Sequence, residues 1–202
     1  MSKREHFIKI FKLAEKKYGK SVKRLAGEGW SSDWKTLIVT IMSAQSRDET
    51  TIPIAEELFR KYDSLEKLAN ANYEDVLRIF KSLNYNRTKA KNVIEAAKIL
   101  LREFNGKLPD KIEELLKIPG VGRKTANLVL SEVHDKDTIT IDTHCNRLLN
   151  VLGIVKTKNP HQTELALMKI APRKYCFMFV AIFSLNSRTK AKSIKGTKIL
   201  GE

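Results

Sequence analysis

The sequence is poor in the features that would place a protein outside the cell or in a membrane. Of its 202 residues only Cys145 and Cys176 are cysteines, which are too few and too isolated for a disulfide framework or a zinc site. No run of about 18 apolar residues is present, as a membrane-spanning helix requires. Residues 1–20 are amphipathic and too charged for a signal peptide. We therefore expect an intracellular, cytoplasmic protein in which both cysteines are small buried side chains.

Acidic residues are scarce relative to basic ones. The chain has 38 Lys and Arg against 23 Asp and Glu, a formal net charge of +15. Such a surplus indicates a polyanion as partner. Solubility in a hot or salty cytoplasm is the alternative that charge alone leaves open. The apolar share of 42% is enough for a packed core in one large domain or two small ones.

Strand patterns and internal repeats are also lacking, whereas helical periodicity extends over nearly the whole sequence. Only residues 138–141 alternate, and four residues without a partner do not make a sheet. Apolar residues recur at helical spacing in several segments. Those with both bounds are 3–18, 34–42, 64–69, 73–81, 89–104, 160–170 and 175–185. Four more helices are predicted by their starts alone, one between Asp48 and Pro53 and the others near residues 109, 123 and 143. We predict an all-α fold that ends in a basic tail at about 188–202.

The segment 112–150 holds the residues with the clearest chemistry. Its sequence IPGVG, at 118–122, predicts a tight hairpin between two helices, because proline fixes one backbone angle and glycine permits conformations closed to other residues. The N–H groups of this turn and of the following helix would meet an anion, for which a DNA phosphate is the candidate. Lys124 lies just inside that helix and Asp142 at the start of the next. An amine and a carboxylate so placed could share one cleft.

Three motifs resemble one family of DNA-repair enzymes. The segments SAQSRDETT (43–51), LKIPGVGRKTANLVL (116–130) and ITIDTHCNRL (139–148) are similar to those of the endonuclease III branch of the helix-hairpin-helix DNA glycosylases. The similarity extends, in order, from about Trp34 to Leu185. It implies a bifunctional DNA glycosylase and AP lyase that removes damaged, oxidised pyrimidines from double-stranded DNA and nicks the abasic site.

The resemblance also implies the domain organisation. A six-helix domain containing the hairpin would occupy residues 26–136, and a second helical domain would combine residues 1–25 with 137–202. The DNA-binding cleft would lie between them. We expect a monomer that binds duplexes with damaged bases or abasic sites and has no membrane partner.

Two residues would carry the reaction. Cleavage of an N-glycosidic bond builds positive charge on the sugar, which the carboxylate of Asp142 would stabilise. The amine of Lys124 would form a Schiff base at C1′, from which the 3′ phosphate leaves by β-elimination. Because a free lysine has a pKa of ~10.4, such a site must favour the neutral amine. A solvated charge or phosphate contact is the alternative for Lys124, and helix capping the alternative for Asp142.

Further contacts with DNA are implied by position in the motifs. Gln45 and Tyr85 would fill the space that base extrusion leaves, although Tyr85 replaces the usual leucine-like wedge and could instead be an ordinary surface aromatic. The hairpin residues expected to bind DNA are Gly120, Val121, Gly122, Arg123 and Thr125. The candidate pocket residues are Asp48, Thr143 and His144, with capping as the alternative for Asp48 and packing or hydrogen bonding for His144.

One part of the family pattern is missing. Relatives commonly carry four cysteines after the last helix that ligate a 4Fe–4S cluster, whereas residues 189–198 contain none. Because a cluster needs thiolate or comparable ligands, we predict no iron–sulfur cluster, no metal and no other cofactor. Lysines would replace the cluster loop electrostatically, or the tail would be disordered.

Two other functions stay open at this point. The first is a glycosylase of the same scaffold for mismatched thymine or uracil, or for 8-oxoguanine. Lys124 favours the lyase-competent branch, since relatives without lyase activity replace this lysine. The second is a DNA-binding module that keeps the hairpin for phosphate contact alone, against which the joint presence of Lys124, Asp142 and Gln45 argues.

Overall fold

The structure is a computed structural model that describes residues 2–18 and 26–172. In these residues it is helical and contains no strand, which confirms the all-α prediction. The helices are α1 Lys3–Tyr18, α2 Asp33–Ser43, α3 Asp48–Lys61, α4 Leu65–Ala69, α5 Tyr73–Ile79, α6 Asn86–Phe104, α7 Ile112–Leu115, α8 Arg123–His134, α9 Thr143–Val151 and α10 Pro160–Met168, with a 3-10 turn at Phe80–Ser82. None of these helices has both the length and the hydrophobicity that a membrane crossing needs.

The described residues fall into two compact units. Those within Arg24–Lys136 form the continuous unit, and those within Met1–Lys23 and Asp137–Glu202 form the terminal unit. The predicted helix at 175–185, the basic tail and Cys176 lie outside the described residues.

Helix α2 is central to the continuous unit. Every residue from Thr36 to Met42 is buried, and the helix contacts α3, α6 and α8. Its sequence is apolar nearly all round, as expected of a helix that other helices surround. The loop that follows α2, which carries Gln45, therefore starts from a fixed position in the core.

The core of the terminal unit combines residues that are far apart in the sequence. Phe7 and Phe11 of α1 are buried together with Cys145 and Leu149 of α9 and Leu167 of α10. In addition, one ring nitrogen of His6, Nε2, lies 3.0 Å from the backbone oxygen of Leu152, at hydrogen-bonding distance. The burial of Cys145 confirms the prediction for this cysteine.

Helix α3 starts at Asp48, within the range from Asp48 to Pro53 that the sequence leaves open. It contains Pro53, whose fixed φ is compatible with a helix but whose ring removes one backbone donor. Helix α6 starts at Asn86, earlier than the start near Lys89 that periodicity predicts. Periodicity misses its first turn because that turn is polar and lacks the apolar residues by which a helix is recognised. One helix begins later: α7 spans only Ile112–Leu115 and does not start near Pro109.

Candidate active site

The hairpin between α7 and α8 is closed by a turn in which only glycine fits. The N–H of Val121 donates to the oxygen of Ile118 at 3.0 Å, and Gly120 has a φ of +83°, which with Pro119 before it is the arrangement of a type II turn. A Cβ at Gly120 would lie 2.8 Å from Cγ2 of Ile41 and 2.9 Å from Nδ2 of Asn92. The turn is thus packed closely against α2 and α6.

Replacing Gly120 with alanine is expected to lower the free energy of unfolding by about 2–4 kcal/mol, because the left-handed backbone and the steric overlap both oppose a side chain. Denaturant unfolding of the two proteins measures the difference. Gly122→Ala is the matched control, since Gly122 has a φ of −94° and a Cβ there would meet nothing within 4 Å. Equal losses in the two variants would contradict this account of the turn.

The first turn of α8 presents backbone N–H groups and one lysine. Gly122 is its N-cap, and its oxygen accepts the N–H of Ala126 at 2.9 Å. The N–H groups of a helical first turn have no acceptor inside the helix and point out of its N-terminus, where an anion binds favourably. Lys124 is exposed there, whereas the side chains of Val121 and Thr125 are buried. At these last two positions, contact with a phosphate would therefore involve the backbone.

Asp142 caps helix α9 of the terminal unit. Its Oδ1 accepts the N–H of Cys145 at 2.7 Å, so the capping alternative describes one function of this residue. The hydrogen bond fixes the direction of the half-buried carboxylate, and no other described residue donates to it. Thr143 and His144 follow on the exposed side of the first turn. Because Lys124 belongs to the other unit, the pairing of Lys124 with Asp142 stays a prediction.

The structure brings together the two loops that carry Gln45 and Tyr85. Nδ2 of Asn84 donates to the backbone oxygen of Gln45 at 2.7 Å. The side chain of Tyr85 is 66% exposed, as both a wedge and a surface aromatic would be. Asp48 is the first residue of α3, whose N-cap is Arg47. Asp48 is therefore not the N-cap residue, and its charge suits the positive end of the helix.

One buried residue beside these loops escaped the sequence analysis. Lys89 is only 4% exposed, and its Nζ donates to Oγ of Ser46 at 2.8 Å. Burial lowers the pKa of this amine to about 8. A signal was present, because Lys89 precedes Val93 and Ala97 at helical spacing and so lies on the buried face of α6.

The donor set does not match that of a 4Fe–4S cluster. The sequence has two cysteines, fewer than such a cluster takes, and Cys145 is enclosed in the core of the terminal unit. In the part of the chain that the structure describes, no three His, Cys, Asp or Glu residues are grouped so that they could hold a metal ion.

Comparison with known sequences assigns the chain to a family. Residues 38–173 match the HhH-GPD superfamily of base excision DNA repair proteins. Endonuclease III of Thermotoga maritima is 43% identical over 139 residues, which are 69% of this chain and 65% of that protein. Endonuclease III of Synechocystis is 35% identical over 177 residues, 85% of this chain and 78% of that protein. The chain belongs to the HhH-GPD superfamily of base excision DNA repair proteins.

Solved structures agree with this assignment. A non-covalent endonuclease III–DNA complex matches with a TM-score of 0.85 at 26% identity, over 99% of this chain and 94% of that one. A trapped covalent intermediate of endonuclease III with DNA matches with a TM-score of 0.80 at 27% identity, over 91% and 85%. Within the superfamily the chain is of the endonuclease III type, which consists of DNA glycosylases with AP lyase activity.

Proposed function

We propose that the protein is a bifunctional DNA glycosylase that removes oxidised pyrimidines from double-stranded DNA and nicks the resulting abasic site. The observation that carries the proposal is the exposed Lys124 in the first turn of α8, directly after the hairpin. Support comes from the capped carboxylate of Asp142 and from the match to a trapped endonuclease III–DNA intermediate. The protein acts as a monomer in the cytoplasm, where the genomic DNA lies. It acts without an iron–sulfur cluster.

The reaction proceeds in two stages. Cleavage of the N-glycosidic bond leaves the electron pair on the base and positive charge on the sugar, which the carboxylate of Asp142 stabilises. The neutral amine of Lys124 bonds to C1′, the sugar ring opens and a Schiff base forms. The imine acidifies the proton on C2′, and its removal expels the 3′ phosphate by β-elimination.

Binding to DNA involves charge and backbone donors. The net charge of +15 attracts the phosphate backbone, and the first turn of α8 with Gly122 and Arg123 offers N–H groups to one phosphate. Gln45 and Tyr85 enter the space left by the extruded base. Because Tyr85 has an aromatic ring, it stacks on neighbouring bases rather than only separating them.

A panel of duplexes tests the base preference. Four otherwise identical duplexes carry thymine glycol, 8-oxoguanine opposite cytosine, a thymine–guanine mismatch or no lesion. We expect the fastest release from thymine glycol, and a covalent adduct when borohydride reduces the Schiff base. Faster release of 8-oxoguanine or of mismatched thymine would show that the protein prefers that base instead. If the protein neither released a base nor formed an adduct, it would be a DNA-binding module.

A further inference from the structure

Gln45 and Tyr85 share a backbone conformation that neither residue type favours. Gln45 has a φ of 55° and Tyr85 a φ of 57°. The other described non-glycine residues with positive φ are Asn105 and Asp135, which cap the C-termini of α6 and α8 and are of the types that tolerate this conformation. For Gln45 and Tyr85 the conformation is strained. The surrounding structure must therefore hold these two residues in place.

Lys89 contacts both loops at once. Its backbone N–H donates to the oxygen of Tyr85 at 3.0 Å, and its side chain reaches across to Oγ of Ser46, the residue after Gln45, at 2.8 Å. Asn84 adds a third bond, to the oxygen of Gln45. The residues next to Gln45 and Tyr85 in the sequence thus hold these two strained residues in place. Ser46 accepts from the buried side chain of Lys89, and the exposed amide of Asn84 donates to Gln45.

Packing alone does not explain a lysine at this position. Lys89 lies on the face of α6 that also buries Val93 and Ala97. Taking an ammonium group out of water is costly, and replacing a buried charge with an apolar side chain of similar volume is often neutral or stabilising. The amine therefore weakens the core or leaves it unchanged, while its hydrogen bond orders the loop that carries Gln45.

We propose that Lys89 is a positioning residue that couples the loops carrying Gln45 and Tyr85, so that both side chains enter the DNA as one preformed unit. The inference rests on the proposed function, because it assigns these side chains to the space left by an extruded base. Lys89 touches no base and acts through Ser46 and the carbonyl of Tyr85. A preformed pair avoids the cost of ordering two loops when DNA binds.

The test compares Lys89→Met, Ser46→Ala and the double variant. Binding is measured to a duplex with a tetrahydrofuran abasic analogue and to the same duplex without a lesion. In each single variant, the preference for the lesion duplex over the intact duplex is expected to fall about tenfold, as for the loss of one charge-assisted hydrogen bond. The double variant should lose no more than either single variant, because both substitutions remove the same bond.

Thermal unfolding separates positioning from a structural function. Lys89→Met should melt at or above the temperature of the wild type, whereas a residue needed for the fold would lower it. Lys98→Met is the matched control: it removes a lysine from the same helix, at an exposed position paired only loosely with Glu95. This control should keep the wild-type preference for the lesion duplex.

Base release by the wild type, measured in parallel, keeps the two hypotheses apart. If the wild type is active and the Lys89→Met variant keeps the full preference for the lesion duplex, the proposed coupling is overturned and the proposed function is not. Additive losses in the double variant would also overturn it, as would a lower melting temperature of Lys89→Met with equal weakening on both duplexes. A wild type that neither releases a base nor forms an adduct would overturn the proposed function.

Discussion

Replacing Lys124 with alanine is expected to abolish the borohydride-trapped adduct and to slow nicking at abasic sites by at least ~10³-fold, because no other group takes the place of a covalent nucleophile. Lys124 is exposed in the first turn of α8, so the substitution should leave the fold intact. The adduct is measured as a protein–DNA band that survives denaturing electrophoresis, and nicking as cleavage of an abasic duplex.

An arginine at the same position distinguishes the nucleophile from a phosphate contact. Lys124→Arg keeps the positive charge, but a guanidinium remains protonated and forms no Schiff base. We expect this variant to bind the duplex with nearly wild-type affinity and to form no adduct. Full nicking activity in the arginine variant would show that Lys124 is only a phosphate contact. An adduct in the alanine variant would show that another residue is the nucleophile.

Replacing Asp142 with asparagine is expected to slow base release by about 10²–10³-fold, as for the loss of one electrostatic stabiliser of the transition state. Asparagine caps a helix as well as aspartate does, so the bond to the N–H of Cys145 persists and the melting temperature should stay unchanged. Single-turnover release of thymine glycol measures the first effect and thermal unfolding the second.

Asp142→Ala is the companion variant, because it removes the charge and the cap together. It should lose the same activity and, in addition, about 1 kcal/mol of stability. If the asparagine variant kept the wild-type rate while only the alanine variant lost activity, capping would account for Asp142 and its catalytic assignment would fall.

Local patterns predicted most of the helical fold. The apolar face of α1 and the nearly continuous apolar stretch of α2 are properties of neighbouring residues, so periodicity reveals them. The first turn of α6 has no such face, and its start at Asn86 was missed for that reason. Periodicity does not show how wide a stripe a helix buries: Leu13 is an apolar residue of α1 but is exposed.

The site could be predicted where its chemistry is local. The cap at Asp142 involves residues three positions apart, and the hairpin follows from its proline and glycines. The coupling of the loops could not be predicted in this way, because the bonds from Lys89 to Ser46 and from Asn84 to Gln45 join residues about forty positions apart. Sequence spacing carries no information on such contacts without the packing of α2 against α6.

The bond between His6 and Leu152, 146 positions apart in the chain, has a consequence for the order of folding on the ribosome. Every residue of the continuous unit is synthesised before α9 and α10, so that unit can fold first. Meanwhile α1 has left the exit tunnel without the partners of Phe7 and Phe11, and its apolar face meets water until α9 and α10 have been synthesised. Helix α1 is thus made before the continuous unit and buried after it, and during this interval its apolar face exposes the nascent chain to chaperones and to aggregation.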